Sequence, residues 1–298
     1  MNRKQFNILV FLEAERAAKS QREIAAATEM SVGSVNKAMA ELSANGFVAD
    51  GKITEAGVAA LEPYRVKRAV FFAAGFGARL VPITLNTPKP LVRVKGKRII
   101  DSLLDAVIAA GIEEIYIVRG YLAEQFDQLL IKYPQIKFID NPIYNEANNV
   151  SSAYFARDVI KNSYVLESDL LLYNSKLISK YQYASNYLGV PTPRTEDWCL
   201  LTDNTGRVKR VAIGGAGDNC NHLFGISYWT EEDGTRLAGH LKEYFETVPG
   251  GKERYWDQVA LEHYVDQYNV YVNKCTFDDI CEIDTFNELK KIDSSYAV

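Results

Sequence analysis

The sequence predicts an α/β fold with a mixed, mainly parallel sheet, preceded by a small, mostly helical domain. Residues 69–74 form a short apolar run with the length and the β-branched and aromatic content of a buried strand. After this run, helical and strand patterns alternate, which is typical of a parallel sheet covered by helices. Before it, the chain carries short amphipathic segments and helix-capping signals. We therefore predict two domains, residues 1–66 and residues 67–298.

The first domain shows a pattern of short helices followed by a turn. Apolar side chains recur at helical spacing in residues 6–12, Ser20 opens a capping box for a second helix, and Ser31 precedes a third. Asp50-Gly51 is a strong signal for a two-residue turn between two short strands. This order of elements resembles a winged helix-turn-helix domain that covers nearly all of residues 1–62.

In a winged helix-turn-helix domain the third helix enters the major groove of DNA. The resemblance therefore implies that Ser34, Asn36 and Lys37 face the bases, with Lys52 on the wing. DNA affinity comes mostly from neutralised phosphates, and this helix offers a single cation. The net charge of −4 also argues against broad nucleic-acid binding. Two interpretations stay open for residues 1–66: DNA binding, or a protein interaction or dimerisation module that keeps the fold.

The second domain is an alternation of strands and helices without internal repeats. The predicted elements are a strand at 69–74, a helix at 99–110, a strand at 115–118, a helix at 122–131 and a strand at 136–139. Ligands of parallel sheets bind at the carboxyl ends of the strands. We therefore expect the functional site to begin where the first of these strands ends.

The first strand runs directly into a glycine turn with cations beside it. The segment Ala73-Ala74-Gly75-Phe76-Gly77-Ala78-Arg79 is followed shortly by Thr87-Pro88-Lys89-Pro90-Leu91. Glycines permit a positive φ and a close approach to a ligand, so that successive N–H groups can face an anion. The segment lacks the third Gly of the dinucleotide fingerprint and the Gly-Lys-Ser/Thr of the Walker loop, so both of those interpretations are poor.

The two segments together resemble the signature of the nucleotidyltransferases that activate sugar phosphates and related phosphate monoesters. The resemblance implies a Rossmann-like nucleotidyltransferase domain in residues 67–298. It also implies that the turn from Ala73 to Gly77 wraps the nucleotide, that Arg79 meets the β- and γ-phosphates, and that Lys89 stabilises charge at the α-phosphate. Ala78 departs from the family, which usually has Thr there, so one hydroxyl contact to the nucleotide is missing.

A polar loop rich in asparagine, residues 140–154, follows the strand at 136–139. It closely resembles the corresponding segment of one branch of the family, the phosphocholine cytidylyltransferases of the bacterial cell-surface choline pathway. We predict that Asn148, Asn149 and Ser151 line the nucleotide or acceptor site. The alternative is a purely structural loop followed by a helix N-cap.

A further strand-like segment, residues 164–172, carries Asp169 near its end. A carboxylate beside a triphosphate is the usual means of holding Mg²⁺, which binds few protein oxygens and several phosphate oxygens. Glu282-Ile283-Asp284 resembles a family segment that supplies the second carboxylate, so Asp169 and Asp284 are the predicted metal pair and Mg²⁺ the predicted cofactor. For Asp284 the alternative is an N-cap for the helix at 285–289.

The predicted chemistry requires no general base, because the acceptor phosphate is already a nucleophile at neutral pH. Catalysis is positioning and charge neutralisation, which we assign to Arg79, Lys89 and Asp169. The three histidines are then dispensable, and we expect each to be structural or exposed: His222, His240 and His263.

Aromatic and acidic residues concentrate in the second half of the chain, in Glu196-Asp197-Trp198 before a predicted strand and in Tyr255-Trp256-Asp257 at the start of a predicted helix. A quaternary ammonium donates no hydrogen bond and is held by aromatic faces and nearby carboxylates. The two segments resemble those of the phosphocholine enzymes, so we assign Trp198, Tyr255 and Asp257 to a cation pocket. Core packing is the alternative for Trp198 and Trp256. A primary ammonium, as in phosphoethanolamine or 2-aminoethylphosphonate, would use the same acids with fewer aromatics.

The sequence thus predicts an enzyme that transfers CMP from CTP to phosphocholine, giving CDP-choline and pyrophosphate. CTP is chosen over UTP by the resemblance alone. The alternatives are a cytidylyltransferase for 2-aminoethylphosphonate or phosphoethanolamine, and a sugar-1-phosphate nucleotidyltransferase. An alternative of another class is a DNA-binding regulator that senses CTP or CDP-choline.

The composition, 47% hydrophobic and 24% charged, is that of an ordinary globular protein. No apolar run approaches the roughly 18 residues of a membrane-spanning helix, and the polar start of the chain is not typical of a signal peptide. The four cysteines show no C-x-x-C spacing, so we expect reduced, structural thiols. We expect a cytoplasmic protein with no membrane partner.

Overall fold

A computed structural model describes residues 1–297, and its chain forms two compact units. Unit 1 contains Met1–Arg65 together with the short segment Tyr181–Tyr183. Unit 2 contains Val66–Lys180 and the chain from Ala184 onward. The chain therefore passes from one unit to the other three times.

Unit 1 consists of helices and one short two-stranded ribbon. The elements are α1 (Arg3–Glu15), α2 (Gln21–Thr28), α3 (Val32–Ala44), β1 (Val48–Ala49), β2 (Lys52–Ile53) and α4 (Glu55–Leu61). Ser20 caps α2 through a capping box with Glu23, and the Ser31 hydroxyl accepts a hydrogen bond at the start of α3. Asp50 and Gly51 both have positive φ in the turn between β1 and β2, as a two-residue hairpin turn requires.

The core of unit 1 forms where the apolar faces of its helices meet. Ile8 and Leu9 of α1 and Ile24 of α2 are fully buried in this core. Tyr181 belongs to the same cluster and is only 2% exposed. The ring of Tyr183 stacks on that of Tyr64, with 5.6 Å between the ring centroids. The segment from the middle of the chain is therefore part of the core of unit 1.

Unit 2 is built from mostly parallel strands in its first half and longer antiparallel strands in its second. Its strands are β3 (Arg68–Ala73), β4 (Arg93–Val94), β5 (Lys97–Arg98), β6 (Glu114–Arg119), β7 (Ile136–Asp140), β8 (Ser163–Glu167), β9 (Leu170–Leu172), β10 (Asn186–Pro191), β11 (Arg194–Thr202), β12 (Val208–Ala216), β13 (Cys220–Trp229), β14 (Tyr271–Lys274) and β15 (Ile280–Glu282). Its α-helices are α5 (Ile99–Ala109), α6 (Val150–Ala156), α7 (Glu231–Thr247) and α8 (Phe286–Ile292).

The central sheet of unit 2 has nine strands, in the order β12-β11-β13-β8-β3-β6-β7, with β10 paired to β13 and β14 paired to β10. Strand β3 pairs in parallel with both β6 and β8, and β6 pairs in parallel with β7. Strand β13 is antiparallel to β8. Two-stranded sheets, β9 with β15 and β4 with β5, complete the unit. The predicted α/β fold with a mixed, mainly parallel sheet is thus confirmed.

Strand β3 is buried on both faces, as its continuous apolar run predicts. Phe71 packs into the hydrophobic cluster on one face of the sheet, and Val70 and Phe72 pack into the cluster on the other. The helix predicted at 99–110 is α5, whereas the one predicted at 122–131 is a 3₁₀ helix, Ala123–Ile131. Trp198 lies within β11, although the sequence placed it before a strand.

Among residues 1–297, no helix combines the length and the apolar composition needed to cross a membrane. The cysteines, all four of them within this range, are free thiols.

Candidate active site

A cavity of about 540 Å³ opens in unit 2 where β3 and β8 end. The glycine turn, the asparagine-rich loop, the end of β8, strand β11 and the segments around residues 255–257 and 282–284 all contribute to its wall. All fourteen residues that the sequence analysis assigned to the site line this cavity. The fold therefore brings together residues from distant parts of the chain, while the role of each residue stays a prediction.

The glycine turn after β3 has a backbone that only glycine adopts readily. Gly77 has a φ of +68°, and a Cβ atom placed there would lie 3.0 Å from the Cβ of Lys89. The Thr84 hydroxyl donates a hydrogen bond to the carbonyl of Gly77, at 3.0 Å. At Gly75 a Cβ would meet nothing within 4 Å, so the turn is open on the cavity side. This turn thus packs against the stem of Lys89 and leaves room for a ligand.

Arg79 and Lys89 both reach the carboxylate of Asp284. Arg79 makes two hydrogen bonds to it, at 2.9 and 2.8 Å. The Lys89 ammonium lies between two carboxylates, 2.8 Å from Asp169 Oδ2 and 3.3 Å from Asp284 Oδ1. Burial of Lys89 opposes its charged form, but its attraction to Asp169 and Asp284 outweighs burial and raises the pKa of Lys89. Lys89 is therefore a permanent cation that lines the cavity.

Two Glu-x-Asp segments meet at the same place. Glu167 and Asp169 lie at the end of β8, and Glu282 and Asp284 lie at the end of β15. Strands β9 and β15 pair with Leu170 opposite Glu282, and the amide of Ile283 donates to the Asp169 carbonyl at 3.1 Å. Carboxylate oxygens of Glu167, Asp169 and Glu282 all lie within 4.8 Å of one another. The pairing of two distant strands thus concentrates carboxylates beside Lys89.

The crowding of these acids changes their proton affinity. Burial, with repulsion from Asp169 next in importance, raises the pKa of Glu282 to about 9. The same two causes raise the pKa of Glu167 well above its usual range. The Asp169 Oδ1 atom is buried and, within residues 1–297, has no hydrogen-bond partner. A buried acceptor without a partner in an acidic cluster is the arrangement expected of a cation-binding site.

Asp284 does not cap the following helix. The N-cap of α8 is Thr285, which forms a capping box with Glu288. The side chain of Asp284 instead pairs with Arg79 and Lys89. The capping alternative for Asp284 is therefore wrong.

Trp198 and Tyr255 both line the cavity and their rings pack against each other. Their ring centroids are 5.3 Å apart with an angle of 66° between the ring planes. Trp256, by contrast, is only 2% exposed and packs edge-on against Phe72 in the core. Of the two tryptophans that the core-packing alternative concerned, only Trp256 is a core residue; Trp198 is half-buried and lines the cavity.

Asp257 also lines the cavity and is held by a tyrosine. The Tyr187 hydroxyl donates a hydrogen bond to Asp257 Oδ1, at 2.6 Å. Burial raises the pKa of Asp257 to about 6, against the opposing effect of this hydrogen bond. Burial therefore makes the carboxylate form of Asp257 electrostatically unfavourable, and a cationic ligand would relieve that cost.

The asparagine-rich loop is held in place by its own side chains. The buried Asn141 amide donates to Ser151 Oγ at 2.9 Å, and the Ser151 hydroxyl donates to the Asn148 carbonyl at 2.8 Å. The Asn148 side chain donates to the carbonyl of Glu253, at 3.1 Å. Asn148, Asn149 and Ser151 thus line the cavity and also build the loop, so the functional and structural interpretations are compatible.

Further residues line the cavity beyond the predicted ones, and three of them form or adjoin the acidic cluster: Glu167, Glu282 and Gly225. Glu167 and Glu282 each precede a predicted metal ligand by two positions, and this shared Glu-x-Asp pattern is the signal that could have found them. Gly225 of β13 carried no such signal. A Cβ at Gly225 would lie 2.5 Å from Glu167 Oε2, so this glycine makes room for the Glu167 carboxylate.

The histidines that the described chain contains, at positions 222, 240 and 263, stand outside the cavity wall. His222 contacts the Thr195 hydroxyl at 2.9 Å, and burial lowers the pKa of His222. The ring of His240 stacks on that of Tyr264. These contacts agree with the structural roles expected from the sequence.

Comparison with known proteins places this site in a family. The family model described as Nucleotidyl transferase matches residues 68–188. The 2-aminoethylphosphonate cytidylyltransferase of Lancefieldella rimae is 33% identical over 232 residues, which are 77% of this chain and 93% of that protein. The choline-phosphate cytidylyltransferase of Haemophilus influenzae is 32% identical over 75% of this chain and 95% of its own length.

A solved structure agrees with these relatives. The CTP:phosphocholine cytidylyltransferase of Streptococcus pneumoniae superimposes with a TM-score of 0.69 at 29% identity, covering 78% of this chain and 99% of that one. The fold, the matched residues and the near-complete coverage of these relatives lead to one conclusion. This chain belongs to the nucleotidyl transferase family and is an enzyme of that family.

Proposed function

We propose that the chain is a cytidylyltransferase that transfers CMP from CTP to phosphocholine, with release of pyrophosphate. The observation that carries the proposal is the composition of a single cavity. Its lining includes the glycine turn with Arg79 and Lys89, and also the aromatic pair Trp198 and Tyr255 with Asp257. The first group of residues suits a triphosphate and the second suits a cationic head group, so both substrates would bind in this one cavity.

In the proposed reaction, an oxygen of the acceptor phosphate attacks the α-phosphorus of CTP. A new oxygen–phosphorus bond forms, the bond from the α-phosphorus to the bridging oxygen breaks, and pyrophosphate leaves with that electron pair. Arg79 would bind the leaving phosphates, for which its exposed guanidinium is well placed. Lys89 would offset the charge that develops at the α-phosphate, because it stays protonated at neutral pH.

We also propose Mg²⁺ as the cofactor, held by Asp169 and Asp284. Hard carboxylate oxygens are the ligands that Mg²⁺ prefers, and Asp169 Oδ1, which accepts no hydrogen bond from any described residue, is available to bind it. Both carboxylates already share one positive charge, the Lys89 ammonium. When bound, the metal ion would neutralise phosphate charge and act as a Lewis acid at the reacting phosphate.

Phosphocholine is our first choice of acceptor because of the two rings. A quaternary ammonium is attracted to aromatic faces, each worth roughly 0.5–2 kcal/mol, and gains nothing from hydrogen-bond acceptors. Trp198, Tyr255 and Asp257 all line this cavity, and the two rings pack against each other. A sugar 1-phosphate would instead need hydrogen-bonding groups where these rings stand.

2-Aminoethylphosphonate is the second candidate, and a specific observation favours it. Asp197, Asp257, Glu167 and Glu282 line the cavity in addition to the predicted metal pair. A primary ammonium donates three hydrogen bonds and would use several of these acids. The relative from Lancefieldella rimae, 33% identical, carries the name of this activity.

Pyrophosphate release with Mg²⁺ and CTP tests the proposal. The purified protein would be compared with phosphocholine, phosphoethanolamine, 2-aminoethylphosphonate and glucose 1-phosphate as acceptors. Rapid release with phosphocholine alone supports the aromatic pocket, and preference for 2-aminoethylphosphonate selects the second candidate. CTP binding without release from any acceptor would instead favour a regulator that senses CTP or CDP-choline, and would overturn the proposed activity.

For unit 1 we propose a winged helix-turn-helix domain that contacts DNA through α3. Three helices precede a two-stranded ribbon, and Asn36 and Lys37 are exposed on α3. Residues 1–65 hold eight Lys or Arg and eight Asp or Glu, so the phosphate-dependent part of binding is small. A gel shift of the full chain on its own promoter should give a salt-sensitive complex that Lys37→Ala weakens. Absence of a complex at low salt would exclude DNA binding and favour the other interpretation, a protein interaction or dimerisation module.

A further inference from the structure

The side-chain amide of Asn149 joins two parts of the cavity wall that come from distant regions of the chain. Its carbonyl oxygen accepts a hydrogen bond from the backbone N–H of Trp256, at 2.9 Å. Its NH₂ group donates to Glu167 Oε1, at 3.3 Å. Trp256 stands between Tyr255 and Asp257, two residues of the proposed cation pocket. One amide therefore connects the pocket segment to the Glu167 carboxylate.

The neighbouring residue holds the same segment from the other side. The backbone N–H of Asn148 donates to the carbonyl of Lys252 at 2.7 Å, and its side chain donates to the carbonyl of Glu253 at 3.1 Å. Together with the bond from Trp256, three hydrogen bonds tie the asparagine-rich loop to residues 252–256. The position of this segment therefore depends on the loop.

The carboxylate of Glu167 is confined from the opposite direction. Gly225 lies against it, since a Cβ at this position would approach Glu167 Oε2 to 2.5 Å and its Cδ to 2.7 Å. The only protein hydrogen bond described for this carboxylate, within residues 1–297, is the one from Asn149. Gly225 leaves room for the Glu167 carboxylate because it has no side chain, and the hydrogen bond from Asn149 orients that carboxylate.

We propose that Asn149 is a positioning residue of the acceptor pocket, orienting Glu167 and the Tyr255–Asp257 segment toward the cationic end of the acceptor. This inference rests on the proposed function for the identity of that substrate. It also narrows the prediction for Asn149, which the sequence analysis placed in the nucleotide or acceptor site, because its amide oxygen binds the segment that carries Tyr255 and Asp257 and its NH₂ group binds Glu167.

The proposal depends on the chemistry of an amide, which donates at one end and accepts at the other. Asn149→Asp keeps an oxygen for the Trp256 N–H, loses the donor to Glu167 and places two carboxyl groups in contact. Glu167→Gln introduces an NH₂ group at the other residue. The double variant N149D/E167Q therefore exchanges the two groups, so that the hydrogen bond is restored in the reverse direction with the net charge unchanged.

The experiment measures KM for acceptor and for CTP in the wild type, N149D, E167Q and N149D/E167Q. We expect N149D to raise the acceptor KM by about tenfold or more while the CTP KM changes by less than about twofold, because contacting residues couple strongly. The double variant should recover a large part of the acceptor KM relative to N149D. The control N145D changes an exposed asparagine of the same loop and should leave both constants unaltered.

A rise in the CTP KM with no recovery in the double variant would overturn the proposal and return Asn149 to the nucleotide site. Thermal unfolding of the same four proteins gives a readout that needs no substrate. N149D should lower the melting temperature and N149D/E167Q should restore it, whichever acceptor the enzyme uses. Failure of turnover with every acceptor would therefore refute the proposed function alone, whereas a double variant no more stable than N149D would refute this inference.

Discussion

Replacement of Asp257 by asparagine should make the protein more stable at neutral pH and less able to bind its acceptor. Burial raises the pKa of Asp257 from 3.8 to about 6, so the folded chain binds this proton more tightly than the unfolded chain. Between these two pKa values the free energy of unfolding falls as the pH rises. Above about pH 6, the charged form of Asp257 lowers that free energy by its full amount. An aspartate at this position therefore lowers stability at neutral pH, which is expected where the charge serves a ligand.

The size of the effect follows from the shift in pKa. Each unit corresponds to about 1.36 kcal/mol, so the charged carboxylate costs about 3 kcal/mol at pH 8. At pH 5 the cost is about half of that, and below about pH 3 it vanishes. For a unit of this size, 1 kcal/mol moves the melting temperature by roughly 2–4 °C. We therefore expect Asp257→Asn to raise the melting temperature by up to about 10 °C at pH 8 and by about half as much at pH 5.

Thermal unfolding monitored at both pH values is the assay. Tyr187 keeps its acceptor in the variant, because the amide oxygen of the new side chain takes the place of Asp257 Oδ1. Asp266→Asn, which removes an exposed carboxylate from the same region, is the matched control and should show no such dependence on pH. A stabilisation by Asp257→Asn of equal size at pH 5 and pH 8 would refute the reasoning. The acceptor KM of the variant should rise at pH 8.

Three further changes test the rest of the site. Asp169→Asn should lower the rate of pyrophosphate release by at least about 100-fold while circular dichroism and the melting temperature show an intact fold; full activity would contradict the metal assignment. Lys89→Met keeps the stem that packs on Gly77 but removes the charge, so kcat should fall by about 10²–10³-fold; an unchanged kcat would show that this ammonium does not act on the reacting phosphate. Gly225→Ala would place a methyl group 2.5 Å from Glu167 Oε2 and should destabilise the fold by about 1–3 kcal/mol in denaturant titrations, with a higher acceptor KM; an unaltered midpoint would mean that Glu167 moves aside freely.

Local sequence signals predicted the parallel part of the sheet well. The apolar run at 69–74 became β3, buried on both faces, because a strand covered on both sides needs no polar alternation. The glycine turn followed at its carboxyl end, where the fold class placed the site. These features depend on neighbouring residues, so a short window of sequence contains the necessary information.

Contacts between distant segments were less predictable. Nothing local indicates that Lys89 lies between Asp169 and Asp284, because that arrangement requires β15 to pair with β9. The role of Gly225 depends on the side chain of Glu167, which belongs to another strand. Such relations follow from tertiary packing, which local propensity and periodicity do not encode.

The second half of unit 2 also differed from expectation in detail. The acids and the tryptophan at 196–198 were placed before a strand, yet they lie inside β11, where the ladder with β12 shifts its register between Thr195 and Trp198. Such an irregularity lets consecutive polar residues occupy a strand, since it breaks the alternation that a pattern-based prediction relies on.

The membership of Tyr181 and Tyr183 in unit 1 has a practical consequence for anyone dividing this protein. A chain shortened to begin at residue 66 would lose the helices of unit 1 but retain two tyrosines whose rings pack against Phe6 and Tyr64 or lie in the same core. Deprived of those neighbours, the rings would form an apolar surface patch, and the fragment would tend to aggregate. A soluble fragment should therefore carry Tyr181→Ser and Tyr183→Ser. Separating unit 2 thus requires changes at residues 181–183 as well as a new starting residue.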